Sequence, residues 1–325
     1  MTKVNPLAAT IGDDLENWMS LLPGNLQNIP IIYLAIPGSH DSASYSITPS
    51  SGLSPDAIPF VRQLAKVFGP LVKRFVFNWS VTQEITIKEQ LQCGVRYLDL
   101  RLGTKTGNRN VFFVHGQYGM EIEKILQEID AFLSDHEGEI ILLDFQHFYS
   151  FTKENHSYLM TLIDSHFGNR MCPVSRTLTH VTLHWMREKG YQVIVIYRDD
   201  SAVGVPVYWP SNKWPTPWPE TTSISTMIRF LEEKIALRPA DVGFVTQCIL
   251  TPDVKFFLKH CFSSLKKKCA EPCNHAIIPW LEAQQPGSKG INIVISDFIK
   301  MQNIPFCKTV IQLNASLLQE VRLSQ

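Results

Sequence analysis

The chain has 325 residues, of which 45% are hydrophobic and 18% charged, so it can bury a large core and is not disordered by composition. Thirty basic residues balance thirty acidic ones, which excludes the whole-molecule positive field of a nucleic-acid-binding protein. We therefore predict no nucleic-acid partner, and any attraction to an anionic surface must be local.

The N-terminal part of the sequence is acidic rather than apolar. The first thirty residues include Asp13, Asp14 and Glu16 and contain no continuous apolar stretch, which does not fit a signal peptide. No run of about 20 apolar residues occurs, so no transmembrane segment is predicted. Seven cysteines, an odd number, favour reduced thiols over a disulfide framework. These features together predict a cytoplasmic protein.

Short apolar segments that end in a polar or charged residue recur along the chain. Between most of them lie segments with helical spacing, such as residues 120–136 and 221–237. Apolar strands that alternate with amphipathic helices indicate parallel strands covered on both faces. The predicted strands are residues 31–36, 95–100, 111–114, 140–143, 193–197, 206–209, 244–249 and 291–296.

This alternation of strands and helices predicts an α/β fold. About eight strands in a chain of this length indicate an irregular (β/α)8 barrel of the TIM type, which forms a single domain over residues 1–325. A segment of about 25 residues leads into the barrel. The link 102–110 is too short for a helix, so we expect the barrel to be irregular there. Residues 31–36 are predicted to form the first strand, and Pro37 and Gly38 to turn the chain out at its catalytic face.

In such barrels the catalytic groups lie where the strands end, at the C-terminal face. Two histidines in these places, His40 and His115, suggest cleavage of a phosphodiester by an internal hydroxyl, with one imidazole as base and the other as acid. A nearby arginine, Arg101, matches a phosphate geometrically and stabilises the charge that grows on it. The carboxylates available to orient the histidines are Asp41, Asp99 and Asp297.

Five segments carry a resemblance to a known family, namely "AIPGSHDS", "QLQCGVRYLDLRLG", "VFFVHGQYG", "EIILLDFQHF" and "INIVISDFI". They resemble the X domain of phosphatidylinositol-specific phospholipases C and, more closely, the short X-domain-containing (PLCXD) proteins. The similarity covers nearly the whole chain, with the catalytic X-box core at about residues 26–200. It implies a distorted barrel that cleaves membrane phosphatidylinositol to diacylglycerol and an inositol phosphate, with a cyclic phosphate as the first product.

The same resemblance implies a role for each motif residue. His40 corresponds to the general base, which takes the proton of the inositol 2-hydroxyl, and His115 to the general acid. Asp297 corresponds to the carboxylate that orients the base, whereas Asp41 assists the acid. Arg101 corresponds to the phosphate-binding arginine of the bacterial enzymes. The neighbours His40 and Asp41 are therefore interpreted as halves of two separate pairs.

Metal dependence differs among members of this family. The large eukaryotic enzymes hold calcium with an asparagine after the first histidine and with acidic residues at the next strand end. This chain has Asp41 and Arg101 at those places, and a guanidinium cannot ligate a cation. We therefore predict catalysis of the bacterial type with no metal and no other cofactor, while the pattern leaves calcium dependence open.

Further residues are predicted to contact the substrate. Arg198 falls where related enzymes place a basic residue towards the inositol ring, and Asp99 and Asp144 lie at neighbouring strand ends. Tyr208 and Trp209 begin an aromatic, Pro-rich segment that also holds Trp214 and Trp218. Its rings either stack on the sugar, enter lipid, or simply pack.

His147 follows Asp144 by three residues in the same motif. Strict alternation along a strand places the two side chains on opposite faces. The sequence therefore leaves open whether His147 is a structural histidine.

A membrane-contact segment is predicted at residues 57–83, which contain no acidic residue. Basic residues there alternate with apolar and aromatic ones, a pattern typical of helices that lie at an anionic interface. The alternative is a pair of barrel-covering helices that are broken at Gly69 and Pro70. We predict peripheral membrane contact and infer no protein partner. The basic residues are Arg62, Lys66, Lys73 and Arg74.

Two other functions remain as alternatives. A catalytically weak or inactive barrel would serve as a lipid-binding or scaffold protein, but such a protein would typically have lost one of the two histidines. A glycerophosphodiesterase would use a similar barrel, but that chemistry recruits paired acidic metal ligands, which Arg101 contradicts.

Overall fold

The structure, a computed structural model, describes residues 7, 11–57, 59–105, 107 and 109–318. Its strands are β1 (Ile36–Ser39), β2 (Tyr97–Thr104), β3 (Val111–His115), β4 (Gln117–Glu121), β5 (Ile141–Tyr149), β6 (Val193–Tyr197), β7 (Tyr208–Trp209), β8 (Val245–Cys248) and β9 (Ile293–Ser296). Its α-helices are α1 (Gly24–Gln27), α2 (Pro59–Ser80), α3 (Ile87–Gln92), α4 (Ile122–Asp135), α5 (Lys153–Phe167), α6 (Leu183–Glu188), α7 (Ile224–Ala236), α8 (Val254–Lys259), α9 (Glu271–Glu282) and α10 (Phe306–Leu313).

The strands form a curled sheet with helices around it. In the part of the chain that the structure describes, seven parallel strands lie in the order β7, β6, β5, β2, β1, β9, β8. The segment after β7 bridges the two ends of this row, because the amides of Gly243 and Val245 donate to the carbonyls of Lys213 (2.9 Å) and Pro215 (3.0 Å). The predicted single-domain, irregular α/β barrel is therefore confirmed.

The irregularity lies where the sequence placed it, after β2. Strand β3 pairs with β2 in antiparallel fashion, and β4 pairs with β3. Only six residues separate β2 from β3, which permits a hairpin but not the helical crossover that a parallel neighbour needs. Residues 111–114 are thus a strand, as predicted, but the prediction that they belong to the parallel barrel is wrong. Strand β3, the second strand of this hairpin, ends at His115.

The first strand begins later than the sequence predicted. Residues Ile31–Tyr33 form a 3₁₀ turn that is buried with the N-terminal segment, and β1 starts at Ile36. Pro37 and Gly38 therefore lie inside β1 and do not turn the chain out. Proline is tolerated at position 37 because no amide is needed there for pairing. The amides of Ile36 and His40 point towards β9, so the nitrogen of Pro37 points towards β2. The pairing of β1 with β2 begins only at the next residue, Gly38.

Alternation along the strands separates the barrel interior from its outer face. In β2, Leu98 and Leu100 pack in the outer core, whereas Tyr97 belongs to the inner one and Asp99 points to the same side as Tyr97. Helix α4 covers the outer core with a stripe of buried residues at helical spacing, as its periodicity predicted. Asp99 and its strand partner Asp144 of β5 therefore lie on the inner face.

Helix α2 is broken at the predicted place. Phe68 has non-helical dihedral angles, φ −117° and ψ 35°, two residues before Pro70. Proline cannot donate to the preceding turn and crowds it, which explains the kink. The segment is thus a pair of helices joined at an angle, and Val67, Phe68 and Leu71 at the break are exposed.

Two findings bear on the cellular environment. All seven cysteines are free thiols, as predicted, and five of them are buried. Within the described ranges, no helix is both long enough and apolar enough to cross a bilayer. The cytoplasmic location itself stays a prediction.

The barrel interior at β1 is too narrow for a side chain at Gly38, and this generates a test. A Cβ atom there would lie 2.8 Å from Cγ2 of Ile295 and 2.8 Å from Cδ1 of Tyr97, both fully buried. We expect Gly38→Ala to lower the free energy of unfolding by about 1–3 kcal/mol in denaturant titrations. The control Gly24→Ala, which meets nothing within 4 Å, should change it by less than about 0.5 kcal/mol. Equal stability of the two variants would contradict this account.

Candidate active site

The site is centred on the turn that follows β1. His40 and Asp41 are consecutive, and Asp41 has a left-handed φ of +41°, which turns the backbone so that both side chains enter the same cleft. The carbonyl of His40 accepts hydrogen bonds from Thr82 Oγ1 (3.1 Å) and Gln83 Nε2 (3.1 Å). Gln83 also reaches the carbonyl of Ser296 in β9 (2.9 Å). Residues after α2 therefore hold the turn against the end of the neighbouring strand.

His40 has Asp297 at one ring nitrogen and both Arg101 and Asp41 at the other. Its Nδ1 lies 2.6 Å from Oδ1 of Asp297, and its Nε2 lies 2.9 Å from Nη2 of Arg101 and 3.2 Å from Oδ2 of Asp41. In the neutral ring, Nδ1 carries the proton that Asp297 accepts and Nε2 carries a lone pair, since arginine can only donate. This tautomer leaves Nε2 ready to receive a proton from a substrate.

The pKa of His40 results from opposing effects. Burial lowers it, but the negative charges of Asp41 and Asp297 together raise it, so that the pKa lies above its usual value. The nearby guanidinium of Arg101 opposes this rise. His40 is therefore a stronger base than a histidine in water, although it lies in a nearly inaccessible position.

His115, the last residue of β3, faces His40 with different partners. Its Nδ1 lies 2.7 Å from the carbonyl of Ser80, and its Nε2 lies 3.2 Å from Oδ2 of Asp41. Both of its ring nitrogens thus face oxygen acceptors, an arrangement that an imidazolium satisfies. Ser80 ends α2, and a free carbonyl at a helix C-terminus favours positive charge nearby. The two imidazole rings are 6.2 Å apart.

Asp41 connects all of these groups. Its Oδ2 lies 3.2 Å from Nε2 of His40 and 3.2 Å from Nε2 of His115, and its Oδ1 lies 2.8 Å from Nε of Arg101. Burial raises the pKa of Asp41, but Arg101, His115 and His40 together lower it below its usual value. The prediction that Asp41 pairs with His115 describes only one of its contacts, since it lies equally close to His40.

A cation is already present among the carboxylates. Among the described residues, His40, Asp41 and Asp99 form the group whose ligand atoms lie close enough together to hold a metal ion. Arg101 contacts each of them, with Nη2 at 3.3 Å from Oδ2 of Asp99 in addition to the contacts above. The set therefore fits a guanidinium better than a metal ion.

The predicted substrate-binding residues Arg198 and Asp144 lie deeper, where they satisfy each other. Arg198 donates from Nε and Nη2 to the two carboxylate oxygens of Asp144, each at 2.7 Å, and from Nη2 to the carbonyl of Trp214 (2.7 Å). Tyr97 donates to the same carboxylate at 2.6 Å. Asp144 is fully buried, and Asp99 is nearly so. Both carboxylates support the arginines from below rather than reaching the cleft themselves.

Tyr208 and Trp209 do not reach the cleft, which corrects that prediction. Trp209 is fully buried and donates from its indole nitrogen to the carbonyl of Cys172 (2.9 Å). Tyr208 packs against Tyr197, with ring centres 5.3 Å apart, beside a separate groove of about 610 Å³ that contains neither His40 nor His115. They belong to the short strand β7, so both side chains are used in packing the two sides of the sheet.

Trp218, a further candidate in the same aromatic segment, does cover the site, whereas the predicted assignment was to Tyr208 and Trp209. Its ring centre lies 5.3 Å from that of His40 and 5.8 Å from Cζ of Arg101. The signal in the sequence was the aromatic, Pro-rich segment itself, which does not show which aromatic residue turns inward.

The cleft above these residues has a volume of about 360 Å³ and two unlike sides. The polar side holds the histidines and Arg101. The other side is formed mainly by apolar side chains from the segment after β8 and from α2. These are Trp79, Ile249, Leu250, Pro252, Val254, Phe257 and Leu265.

The barrel is similar to solved bacterial structures. The phosphatidylinositol-specific phospholipase C from Listeria monocytogenes matches 93% of this chain and 99% of its own, with a TM-score of 0.64 and 18% identity. A phosphatidylinositol-specific phospholipase C from S. aureus also matches 93% of this chain and 99% of its own, with a TM-score of 0.65 and 17% identity. The fold is that of the bacterial phosphatidylinositol-specific phospholipase C barrels.

Sequence comparison narrows this class to a family. No protein-family model matches the chain. PI-PLC X domain-containing protein 2 of Mus musculus is 40% identical and covers 99% of this chain and 94% of its own. Protein 3 of Homo sapiens is 38% identical, with coverages of 92% and 94%, and protein 1 of Homo sapiens is 34% identical, with 93% and 93%. The chain belongs to the family of PI-PLC X domain-containing proteins, as its motifs predicted.

The contact between His40 and Asp297 predicts a change in titration. A base has to be neutral to accept a proton. Because the pKa of His40 is raised, His40 would lose its function as a base at a higher pH than an ordinary histidine. Asp297→Asn keeps an acceptor for Nδ1 but removes the charge, so the pKa of His40 should fall. Histidine NMR titration measures this without requiring turnover. The exposed His184 serves as the control, with resonances that should not differ between the two proteins. An unchanged His40 titration would contradict the assignment.

Proposed function

We propose that this protein is a phosphoric diester hydrolase that cleaves phosphatidylinositol to diacylglycerol and a cyclic inositol phosphate. The single observation that carries the proposal is the pair of histidines on either side of Asp41. When neutral, His40 presents the lone pair of its Nε2 beside Arg101, whereas both nitrogens of His115 face oxygen acceptors and no cation. This is the protonation pattern that a base and an acid need at the start of a phosphodiester cleavage.

In the proposed reaction, Nε2 of His40 takes the proton from the hydroxyl next to the phosphate on the inositol ring. That oxygen forms a bond to phosphorus while the bond from phosphorus to the glycerol oxygen breaks. His115 gives its Nε2 proton to the departing oxygen, so diacylglycerol leaves as an alcohol. Reversal of the two roles with a water molecule then opens the cyclic phosphate.

The supporting residues act on charge and orientation. Arg101 contacts His40 and Asp41 and stabilises the charge that develops on the phosphoryl oxygens. Asp297 fixes the tautomer of His40 and stabilises it once protonated. Trp218 covers His40 and Arg101, which limits the access of water to the reacting atoms.

The proposal includes independence from calcium. Asp41 and Asp99 already face the guanidinium of Arg101 at 2.8 Å and 3.3 Å, so their negative charge is matched inside the protein. A divalent cation at the same place would have to displace that arginine or lie beside it against like-charge repulsion.

Release of inositol phosphates from phosphatidylinositol vesicles tests the activity. We expect the natural chain to turn over, and His40→Ala and His115→Ala each to lower the rate by about 10²–10⁴-fold, because each removes one proton transfer. His184→Ala, a change at an exposed histidine on α6, should have no effect. Equal turnover in the natural chain and both site variants would overturn the assignment.

The same assay in the presence of EDTA tests the metal prediction, and we expect an unchanged rate. Loss of activity that calcium restores would contradict it. If the natural chain binds vesicles without cleaving lipid, the lipid-binding scaffold is the correct alternative. Cleavage of water-soluble glycerophosphodiesters but not of phosphatidylinositol would identify the glycerophosphodiesterase alternative.

Peripheral membrane contact is part of the proposal and is supported by one exposed surface. Val67, Phe68 and Leu71 of α2 are 73%, 55% and 75% exposed. Leu258 of α8 and Phe262 beyond it are 66% and fully exposed. We call these five residues the apolar rim. Such a concentration of exposed large side chains is unusual in a monomer and marks a contact surface.

The apolar rim adjoins the cleft. Phe75 of α2 and Phe257 of α8 pack edge to face, with ring centres 4.5 Å apart, so the two helices form one unit. Phe257 also lines the cleft. Exposed cations flank the rim and face the negative charge of a membrane surface, each contributing about 1 kcal/mol. They are Arg62, Lys66, Arg74, Lys255 and Lys259.

Two double variants test the apolar rim. Phe68→Ser with Leu71→Ser should weaken binding to vesicles of phosphatidylcholine and phosphatidylserine about tenfold or more, because both side chains would otherwise leave water. The matched control is Val203→Ser with Leu237→Ser, which removes two equally exposed apolar side chains outside the rim. Sedimentation with vesicles measures both. Equal binding of the two double variants would contradict the surface.

A further inference from the structure

The pairing of β2 with β5 contains one extra residue at the edge of the site. Asp99 lies opposite Asp144 and Leu100 opposite Phe145, but Arg101 lies opposite His147. Gln146 is therefore the additional residue of a bulge in β5. A bulge inserts one residue into a strand and redirects the side chains that follow it.

This bulge reverses what alternation implied for His147. Asp144 and His147 are an odd number of residues apart, so they would face opposite sides of an ideal strand. With the bulge between them, His147 is the neighbour of Arg101, and residues paired across parallel strands point to the same face. Both His147 and Asp144 thus face the barrel interior. Strict alternation along β5 therefore does not hold at His147.

The bulged residue is itself anchored. Gln146 donates from Nε2 to Oδ2 of Asp144 (3.1 Å) and to the hydroxyl of Tyr97 (3.2 Å), while Phe148 returns to the outer face, where it packs against Tyr197. The direction of His147 is consequently fixed by hydrogen bonds on one side and packing on the other.

His147 has ring nitrogens without a partner. Within the described ranges, no hydrogen bond to either nitrogen occurs, and the side chain is exposed beside Arg101, with its ring centre 5.8 Å from that of Tyr149. It does not itself line the cleft of about 360 Å³, but it is the strand partner of Arg101, which does. An unpartnered imidazole beside the arginine of a cleft is available to a ligand.

The protonation state limits which ligand it suits. Partial burial lowers the pKa of His147, and the positive charge of Arg101 lowers it further, against smaller opposing effects of Asp99 and Asp41. The ring is therefore neutral near pH 7 and offers one N–H donor and one lone pair. A hydroxyl, which both donates and accepts, complements either nitrogen.

The surrounding charges argue against a phosphate at this place. Arg101 is paired with Asp41 and Asp99, and Arg198 is paired with both oxygens of Asp144. The positive charges nearest to His147 are thus already balanced by carboxylates. The phosphodiester of the substrate uses Arg101, so an extra phosphate on the ring would meet these carboxylates with no further unpaired cation, and the site favours a ring without one.

We propose that His147 is a specificity-determining residue that binds hydroxyl groups of the inositol ring and so selects the unphosphorylated head group. The inference rests on the proposed function, since it assigns a role in the same cleft. It adds the ring chemistry that the polar side of the cleft recognises and the residue that recognises it.

Three variants test this role. His147→Phe keeps a ring but removes both polar atoms, so we expect the inhibition constant of free myo-inositol to rise about tenfold, the loss of one or two hydrogen bonds. His147→Lys adds a cation, so the rate ratio of phosphatidylinositol 4-phosphate to phosphatidylinositol should increase about tenfold. His184→Phe, the matched control on α6, should change neither quantity. Unchanged values for both His147 variants would overturn the inference.

A binding measurement separates this inference from the proposed activity. Addition of myo-inositol should shift the ring resonances of His147 in histidine NMR spectra of the natural chain, and the shift needs no turnover. If the natural chain does not cleave phosphatidylinositol but the resonances shift, the proposed activity fails and the inference stands. If cleavage occurs and no resonance of His147 moves, the inference fails and the activity stands.

Discussion

One buried carboxylate determines the arrangement of the rest of the site. Asp41 is fully buried, and it contacts both histidines and Arg101 within 3.2 Å. A charge removed from water needs partners of opposite sign, and these groups supply them. The same demand explains why the two imidazoles converge, since each directs one nitrogen at the same oxygen. The short distance between the histidines is therefore a consequence of Asp41 and not an independent feature.

The barrel makes this convergence possible through constraints at particular residues. The left-handed backbone at Asp41 lets two consecutive residues face one cleft, which a regular strand would prevent. The antiparallel hairpin β3–β4 departs from the barrel so that His115 arrives from the side opposite Asp297. The bulge at Gln146 brings His147 to Arg101. Each departure from regular structure places a polar side chain in the cleft.

The sequence predicted the parts of this site that depend on local pattern. An apolar run followed by a polar residue marks a strand end, and this rule found His40, Arg101, His115 and Asp297. The rule failed where contacts with another segment of the chain determine the local structure. Nothing within residues 31–36 distinguishes a strand from a buried turn, because both are apolar. The bulge in β5 is visible only once its register with β2 is known. The sequence likewise does not show that Trp209 is buried in the core while Trp218 lies against His40.

The two sides of the cleft also give the proposed reaction a direction. His115 contacts the carbonyl of Ser80, the residue after Trp79 of the apolar side, whereas Arg101 is the strand partner of His147. A leaving group takes its proton from the acid, so it has to depart on the side where His115 stands. An apolar diacylglycerol fits that side and the apolar rim beyond it, while a polyhydroxylated ring fits the other. The asymmetry of the cleft thus favours breaking the bond to glycerol and retaining the phosphate on the ring.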